Sequence, residues 1–425
     1  MMKTMINNIS GVCCRVFYLL LLSFSPSLLF TSCIEEFEAD IPAEDSNLLV
    51  VEGTICASGL NQFTLTRTQD INAHNYQTIM VAGAKVSVRG SDGSEYVAQQ
   101  SYDGSGYMTL DAHGTYSCWI DALNPDVEYC LHIEVDGEVY ESEPQKPLRT
   151  EEIAEVTGAQ NTPYSNIDIL VTTEAPSSAD EAKYYSWTYD ETWEVLPDLK
   201  TDIYFNPNSM QVYKYCDSIP NPYPERGWKD GRSSMTMIGA STNYEGQQIK
   251  ELKMYEIASN DERIAKRYSG LIHQRAISKA EYEYELARRE ASSEMGGLFT
   301  PQPSSLPTNI HCVTSNKRAI GYIGCSLNTS DYRFYLNASD FTTRVPRRDG
   351  LEWYYFKGSD EKMYKLFLIE SRNRVYEGKI LCVWEDMRME VAGGKLETGW
   401  ASNVYQLDVR YKGAYIEKPD FWKDE

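Results

Sequence analysis

The chain has 425 residues and a formal net charge of −22, from 40 lysines and arginines against 62 aspartates and glutamates. Binding to nucleic acid needs clustered lysine and arginine, so this balance argues against a nucleic-acid partner. It also argues against adhesion to an anionic bilayer by charge alone. Hydrophobic residues form 42% of the chain, which is enough for real cores. The length predicts two or three domains of about 100–200 residues each.

Residues 1–32 have the layout of an export signal. Their only charges are Lys3 and Arg15, and an apolar run over residues 16–22 follows. The segment ends in Leu29-Phe30-Thr31-Ser32-Cys33, which resembles a bacterial lipobox. In a lipobox the signal is cut before the cysteine, whose thiol carries a diacylglyceryl group. We therefore predict lipidation at Cys33. The alternatives are a simple secretory signal and an uncleaved anchor.

Residues 33–46 are acidic and contain Pro42. They predict a flexible tether that holds the body of the protein off a membrane. Because residues 1–32 carry two positive charges and no negative ones, the rest of the chain stands near −22 − 2 = −24. A lipid on Cys33 would then provide the membrane attachment.

Residues 47–148 predict a β-sandwich. Short apolar or alternating segments recur every 8–12 residues and are separated by glycine-rich turns. Asp136-Gly137 stands between two alternating segments and is typical of a type I′ hairpin turn.

Residues 151–425 predict a larger β-rich domain with at least one α-helix. Strands are predicted near 184–189, 319–326, 332–336, 366–370 and 380–384, from their apolar and alternating residues. A helix is predicted near 278–292, because Ser278 can cap it and Glu281 follows three residues later. The expected fold class is mainly β.

Cysteine and histidine patterns do not predict a metal site or a cofactor. The chain has ten cysteines but lacks a CxxC motif. Cys118 and Cys130 lie in predicted strands and could form a disulfide, but most cysteines are expected to be small core residues. His132 is expected to face outward from its strand. His311 beside Cys312 is a weak metal or redox signal.

The residues do not form a recognisable catalytic set. The best hydrolase candidates are the carboxylates of Asp190, Glu191 and Glu194 around Trp193, because glycoside hydrolysis uses paired carboxylates about 5–10 Å apart. In a chain with 62 acidic residues such clusters also arise by chance.

Residues 206–228 are rich in Pro, Asn, Tyr and Gly and predict a long irregular loop. Aromatic residues in and beside it predict a contact surface, since interfaces favour such side chains. The alternative is that they pack back on the sandwich. The candidates are Tyr204, Phe205, Tyr213, Tyr215, Tyr223 and Trp228.

Several segments, taken in order, resemble the Bacteroidota outer-membrane lipoproteins grouped as domain of unknown function 4249. They include Leu49-Val50-Val51-Glu52-Gly53, Gly83-Ala84-Lys85-Val86-Ser87-Val88, Arg267-Tyr268-Ser269, Gly296-Gly297-Leu298-Phe299-Thr300-Pro301-Gln302-Pro303-Ser304 and Lys418-Pro419-Asp420-Phe421-Trp422. The first module also resembles transthyretin-like and Ig-like sandwiches.

This resemblance implies a lipoprotein of the outer membrane, frequently encoded beside a TonB-dependent transporter. The acidic residues after Cys33 resemble the signal that sends such lipoproteins to the cell surface. No enzymatic activity comes with the family. The expected function is therefore ligand capture or uptake together with a TonB-dependent transporter. The alternatives are a surface glycan or peptide hydrolase and a purely structural or adhesive envelope protein.

Overall fold

The computed structural model describes residues 47–68, 78–100, 114–176, 184–293, 306–345, 352–357, 361–383, 395–401 and 404–424. Leu48–Thr68 and Thr78–Glu425 form one compact unit. The other unit, Met1–Asn47 with Gln69–Gln77, lies outside the described residues except for Asn47. The predicted signal, Cys33, the tether and residues 296–304 also lie outside them.

The described chain is mainly β, which confirms the predicted fold class. Its strands are, in chain order, β1 (Leu49–Cys56), β2 (Gly59–Arg67), β3 (Ile79–Met80), β4 (Lys85–Gly90), β5 (Glu95–Gln100), β6 (Thr115–Ile120), β7 (Tyr129–Val135), β8 (Glu138–Ser142), β9 (Ile153–Gln160), β10 (Ile167–Thr173), β11 (Tyr184–Val195), β12 (Ile203–Asn206), β13 (Gln211–Lys214), β14 (Gly227–Arg232), β15 (Met237–Ala240), β16 (Leu252–Ile257), β17 (Arg267–Ile277), β18 (Ile310–Cys312), β19 (Ala319–Gly321), β20 (Gly324–Ser326), β21 (Ser330–Asn337), β22 (Glu352–Lys357), β23 (Ile380–Val383) and β24 (Lys395–Ala401). The helices are α1 (Lys279–Ser293) and α2 (Glu361–Tyr376).

The first part of the chain forms an 11-stranded sheet in the order β18-β8-β7-β4-β5-β6-β2-β1-β19, with β20 on β1 and β3 on β2. Its strands alternate between buried and exposed side chains, as in β2 and β6. The buried positions form one core, which includes Phe63, Leu65, Tyr116 and Ile133.

Three late strands complete this sheet. β18 pairs with β8, while β19 and β20 both run parallel to β1. Ile310, Ala319 and Cys325 accordingly belong to the first core. Strands from the 151–425 segment therefore hydrogen-bond to strands of the 47–148 module.

The second part is organised around the long strand β11. It lies in a five-stranded sheet, β14-β11-β17-β21 with β15 also on β11. A three-stranded sheet, β16-β10-β9, shares a second core with it. Trp187 and Tyr185 of β11 are fully buried in that core.

Helix α1 begins where its sequence predicts. The Ser278 hydroxyl accepts the Glu281 backbone N–H at 3.1 Å, which satisfies one free donor of the first turn. The Glu281 carboxylate does not complete a capping box. It binds the Arg275 guanidinium of β17 instead, and both side chains are nearly buried. The Glu281–Arg275 ion pair therefore links the first turn of the helix to the sheet.

The strand predicted at 366–370 is wrong, because these residues lie inside α2. Four consecutive apolar residues fit a buried strand and a buried helix equally well. Leu368 packs on Ile203, Phe205 and Trp400. The remaining small sheets of this region are β12-β13 and β22-β24-β23.

The C-terminal segment packs on the five-stranded sheet. Trp422 is only 3% exposed, and its ring meets those of Trp228 and Tyr335 edge-on at 6.1 and 6.3 Å between centroids. The Asp424 carboxylate binds both Arg226 and Lys418, and the hydrogen bonds from these two side chains lower the pKa of Asp424 to about 2.

Within the described residues, we find no helix with the length and apolar character needed to span a membrane.

Candidate functional site

The hairpin formed by β12 and β13 carries the best candidate for a contact surface. Asn206 makes its turn, since the Asn206 side-chain oxygen accepts the backbone N–H of Asn208 at 2.9 Å and of Ser209 at 3.3 Å. Such side-chain acceptance is the usual reason for asparagine at the start of a turn. The turn sets Tyr204 directly opposite Tyr213.

One face of this hairpin is packed on the protein. Ile203 and Phe205 are 1% and 6% exposed and lie in a small core with Trp400. Successive side chains of a strand point to opposite faces. Tyr204, between these two residues, therefore projects from the other face.

Three tyrosines share that outer face, and we call them the tyrosine surface: Tyr204, Tyr213 and Tyr215. The Tyr204 ring stacks on Tyr213 at 5.6 Å and on Tyr215 at 5.1 Å between centroids. The Tyr215 backbone N–H donates to the Asp202 carbonyl at 2.9 Å, which extends the hairpin past β13. Stacked rings on a braced hairpin lose little conformational freedom on binding, which favours recognition.

The other three predicted contact residues lie elsewhere. Phe205 and Trp228 are buried at 6% and 3% exposure, so their assignment to a contact surface is corrected. Phe205 faces the small core, and Trp228 lies in β14 under the C-terminal segment. Tyr223 is half-buried against Leu199 and Leu407. These three residues therefore pack against the body of the protein, which is the alternative that the sequence left open.

The prediction that residues 206–228 form one long irregular loop is also corrected. It contains the turn of the hairpin, all of β13, and the start of β14. The missed signal is the run of β-branched and aromatic residues Ile203-Tyr204-Phe205 before Asn206-Pro207-Asn208, which is typical of a strand entering a turn.

The carboxylates of Glu191 and Glu194 do not face a common cleft. Glu191 and Glu194 differ by three positions on the regular strand β11, so they lie on opposite faces of the sheet. The Glu194 carboxylate is bound by the Arg226 guanidinium at 2.8 Å. Two carboxylates separated by a sheet cannot flank one glycosidic bond.

Glu191 belongs to a buried polar network in the second core. Its carboxylate accepts a 3.0 Å hydrogen bond from the Tyr268 hydroxyl and a 3.0 Å bond from the Arg263 guanidinium. The Tyr268 hydroxyl also meets the Tyr255 hydroxyl at 2.7 Å. Burial, with the nearby Tyr255 and Glu191, raises the pKa of Tyr268 well above its usual value. The network thus keeps the Tyr268 hydroxyl protonated as a donor to Glu191.

The histidine and cysteine candidates lie on strands of the first sheet. His132 points to the face opposite the first core, since Leu131 and Ile133 on either side of it are buried in that core. It is only 7% exposed there, and its Nδ1 lies 2.8 Å from the Glu141 carboxylate. His311 and Cys312 are neighbours on β18 and so point to opposite faces. His311 meets the Glu143 carboxylate at 3.3 Å. Among the described residues, no group of three His, Cys, Asp or Glu side chains could hold a metal ion.

Cysteines 118 and 130 are both free thiols, so the disulfide considered between them is not formed. They lie on β6 and β7, which are separated in the sheet by β4 and β5. Cys56, Cys118 and Cys325 are buried, as expected of small core residues, whereas Cys216 is exposed.

The fold and the surface together define a mainly β protein with sandwich-like sheets and a tyrosine-lined hairpin. The chain belongs to the family described as Domain of unknown function (DUF4249), whose match covers residues 34–331. No curated protein matches the sequence.

Two solved structures are similar to parts of the chain. One is the crystal structure of the chicken CNTN1 FN1–FN3 domains, with 11% identity and a TM-score of 0.15, covering 54% of this chain and 59% of that one. The other is a DUF4785 family protein from Legionella pneumophila, with 10% identity and a TM-score of 0.14, covering 53% of this chain and 52% of that one.

Proposed function

We propose that this protein is a lipid-anchored accessory protein of the outer membrane, exposed at the cell surface, which works with a TonB-dependent transporter in capturing a ligand. The observation that carries the docking part is the tyrosine surface. Its hairpin is braced from behind by Ile203, Phe205 and Trp400, while three stacked tyrosine rings are presented outward.

Two features support the choice of a protein partner for this surface. Tyrosine combines a large apolar ring with a hydroxyl that can hydrogen-bond, and it is enriched at interfaces for this reason. The Tyr213 hydroxyl already has hydrogen-bond partners at 3.0 Å in Ser209 and Gln211. The ring is therefore held in one orientation before a partner arrives.

The anchor part of the proposal rests on the sequence around Cys33 and on the family resemblance. The basic start, the apolar run, the lipobox-like Thr31-Ser32-Cys33 and the acidic residues after it support export, acylation and display at the surface. The net charge of −22 supports a lipid, rather than basic residues, as the means of membrane attachment.

The anchor is tested with Cys33→Ala. We expect the variant to lack acyl chains by mass spectrometry and to be lost from the outer-membrane fraction. Full retention of the variant in that fraction would mean that the apolar run is an uncleaved anchor, and this part of the proposal would fail.

The docking role is tested by affinity purification of the tagged chain from outer membranes in mild detergent. We expect a TonB-dependent transporter to be recovered in near-equal amount. Combining Tyr204→Ala with Tyr213→Ala should reduce its recovery several-fold, because two of the three stacked rings are lost. Tyr376→Ala is the matched control, since Tyr376 is 76% exposed on α2, outside this surface. Recovery of the lipoprotein alone would contradict the proposed partnership with a transporter.

A further inference from the structure

A second exposed aromatic surface lies on the first sheet, away from the tyrosine surface. Trp119 of β6 is 62% exposed, although its neighbours Cys118 and Ile120 are buried. Leu60, 55% exposed, stands directly opposite Trp119 on β2. A large indole held outward on a strand whose other face is core is not needed for packing.

The indole is held flat and fixed. A Cβ at Gly59 would lie 3.3, 3.5 and 3.7 Å from three atoms of the Trp119 six-membered ring. One face of that ring therefore lies against the strand, over a residue without a side chain. The indole N–H donates to the Asp121 carboxylate, which fixes the rotation of the ring. The opposite face of the ring is left to solvent.

A row of hydrogen-bonding side chains runs beside the indole. Ser117 lies two residues before Trp119 on the same face, and it is flanked by Gln62 on β2 and Gln99 on β5. The two glutamines are exposed. Residues two apart on a strand are about 6.7 Å apart, and neighbouring strands are about 4.8 Å apart. Gln62, Ser117 and Gln99 therefore form a polar row ~10 Å long. Trp119 and Leu60 form an apolar row beside it.

We infer that this surface, Trp119 with Leu60, Gln62, Ser117 and Gln99, binds an uncharged saccharide. The C–H bonds on one face of a pyranose pack on the electron-rich face of an indole. The hydroxyls at the edge of the ring then meet amide and hydroxyl groups that both donate and accept. These five positions carry no charged side chain, so the surface has no cation with which to recognise an anionic ligand.

The size of the surface favours a sugar over a protein. A stable protein interface buries about 800 Å² on each partner, whereas the exposed apolar side chains here are Trp119, Leu60 and Val97, the last being 66% exposed on β5. A single sugar ring needs no more than a stacking platform and a few hydrogen-bond partners. The inference concerns a different surface from the docking proposal, and it requires neither the lipid anchor nor a transporter.

The test is affinity electrophoresis of the full chain in mild detergent, on native gels cast with dextran, xyloglucan, galactomannan or amylopectin. At least one of these uncharged polysaccharides should retard the protein. Trp119→Ala should weaken that retardation by about tenfold or more, because the stacking face is lost. Trp119→Phe should keep part of it. Gln62→Ala and Gln99→Ala should each weaken it by a few-fold.

Tyr376→Ala serves again as the control, and it should migrate like the wild type. The inference is overturned if none of the four polysaccharides retards the chain, or if Trp119→Ala is retarded as strongly as the wild type. It is also overturned if Trp119→Ala abolishes retention by heparin, since the ligand would then be anionic. The same holds if Trp119→Ala abolishes the recovery of a protein partner but leaves migration on the polysaccharide gels unchanged.

Discussion

Replacing Glu191 with glutamine tests whether the buried network of the second core is a structural element. The change keeps the size of the side chain and removes its charge. In the native chain the Glu191 carboxylate lies 3.0 Å from the Arg263 guanidinium, with side-chain exposures of 10% and 22%. Among the described residues, Arg263 would then keep Asp261, at 2.9 Å, as its ionic partner.

The expected loss of stability follows from these contacts. Breaking a buried ion pair from one side costs about 3–5 kcal/mol, because the remaining charge stays buried without compensation. Arg263 keeps Asp261 and some solvent, so the loss for Glu191→Gln should be about 2–3 kcal/mol. With a urea m-value of about 3 kcal/mol/M for a chain of this size, the unfolding midpoint should fall by roughly 0.7–1 M.

The assay is urea unfolding followed by tryptophan fluorescence, since Trp187 lies in the same core. Glu283→Gln is the matched control. Its Lys279 partner is 3.5 Å away and both side chains are exposed, so the change should cost about 0.5 kcal/mol or less. Combining Glu191→Gln with Arg263→Met should show a coupling of at least about 1 kcal/mol. Equal midpoints for the two single carboxylate variants, or strictly additive effects in the pair, would refute the reasoning.

Three further predictions follow from other parts of the fold. The hydrogen bond to Asp331 raises the pKa of His273, so the stabilisation it provides is complete below the unfolded pKa of about 6.5 and is lost as pH rises through the folded pKa. His273→Gln should therefore flatten the fall in stability above that pH, and an unchanged pH profile would contradict this. Burial alone would raise the pKa of the Cys312 thiol, but hydrogen bonds with Ser315 and Thr314 outweigh it and lower the pKa. Because burial raises the pKa of Cys118 to about 11, iodoacetamide near neutral pH should label Cys312 before Cys118, as read by peptide mass spectrometry. Trp422→Ala should cost about 3–5 kcal/mol in urea unfolding, as expected for a buried tryptophan, and a loss below about 1 kcal/mol would show that the C-terminal segment does not stabilise the sheet.

Local signals in the sequence were enough for the elements whose ends are marked by their own residues. The Ser278 hydroxyl caps α1 as predicted. The Asp136-Gly137 turn joins β7 to β8, with both residues at positive φ of 52° and 78°. In each case the residue that ends the element acts on backbone groups within a few positions of itself, so no distant information is needed.

Elements that depend on distant partners could not be predicted in this way. Ala319 pairs with Leu49, and Ile310 pairs with Ser142, across long stretches of chain. The pattern of residues 310–326 shows that they can form strands but not which sheet they join. The apolar run at 366–370 is ambiguous in another way, because a short apolar run fits a strand and a helix alike. In the structure it lies in α2, where Leu368 packs on Phe205 and Trp400.

The aromatic residues show why a candidate surface cannot be chosen by composition. The chain has 31 tyrosines and 8 tryptophans, and Trp228 and Phe205 look as suitable in sequence as Tyr204. The outward-facing rings are distinguished from the buried ones by the burial of the neighbouring residues on the same strand. Tyr204 projects outward because Ile203 and Phe205 on either side of it are buried, and Trp119 does so because Cys118 and Ile120 are buried. An exposed aromatic ring on a strand is therefore informative only where its neighbours already satisfy the core, and both surfaces proposed here meet that condition.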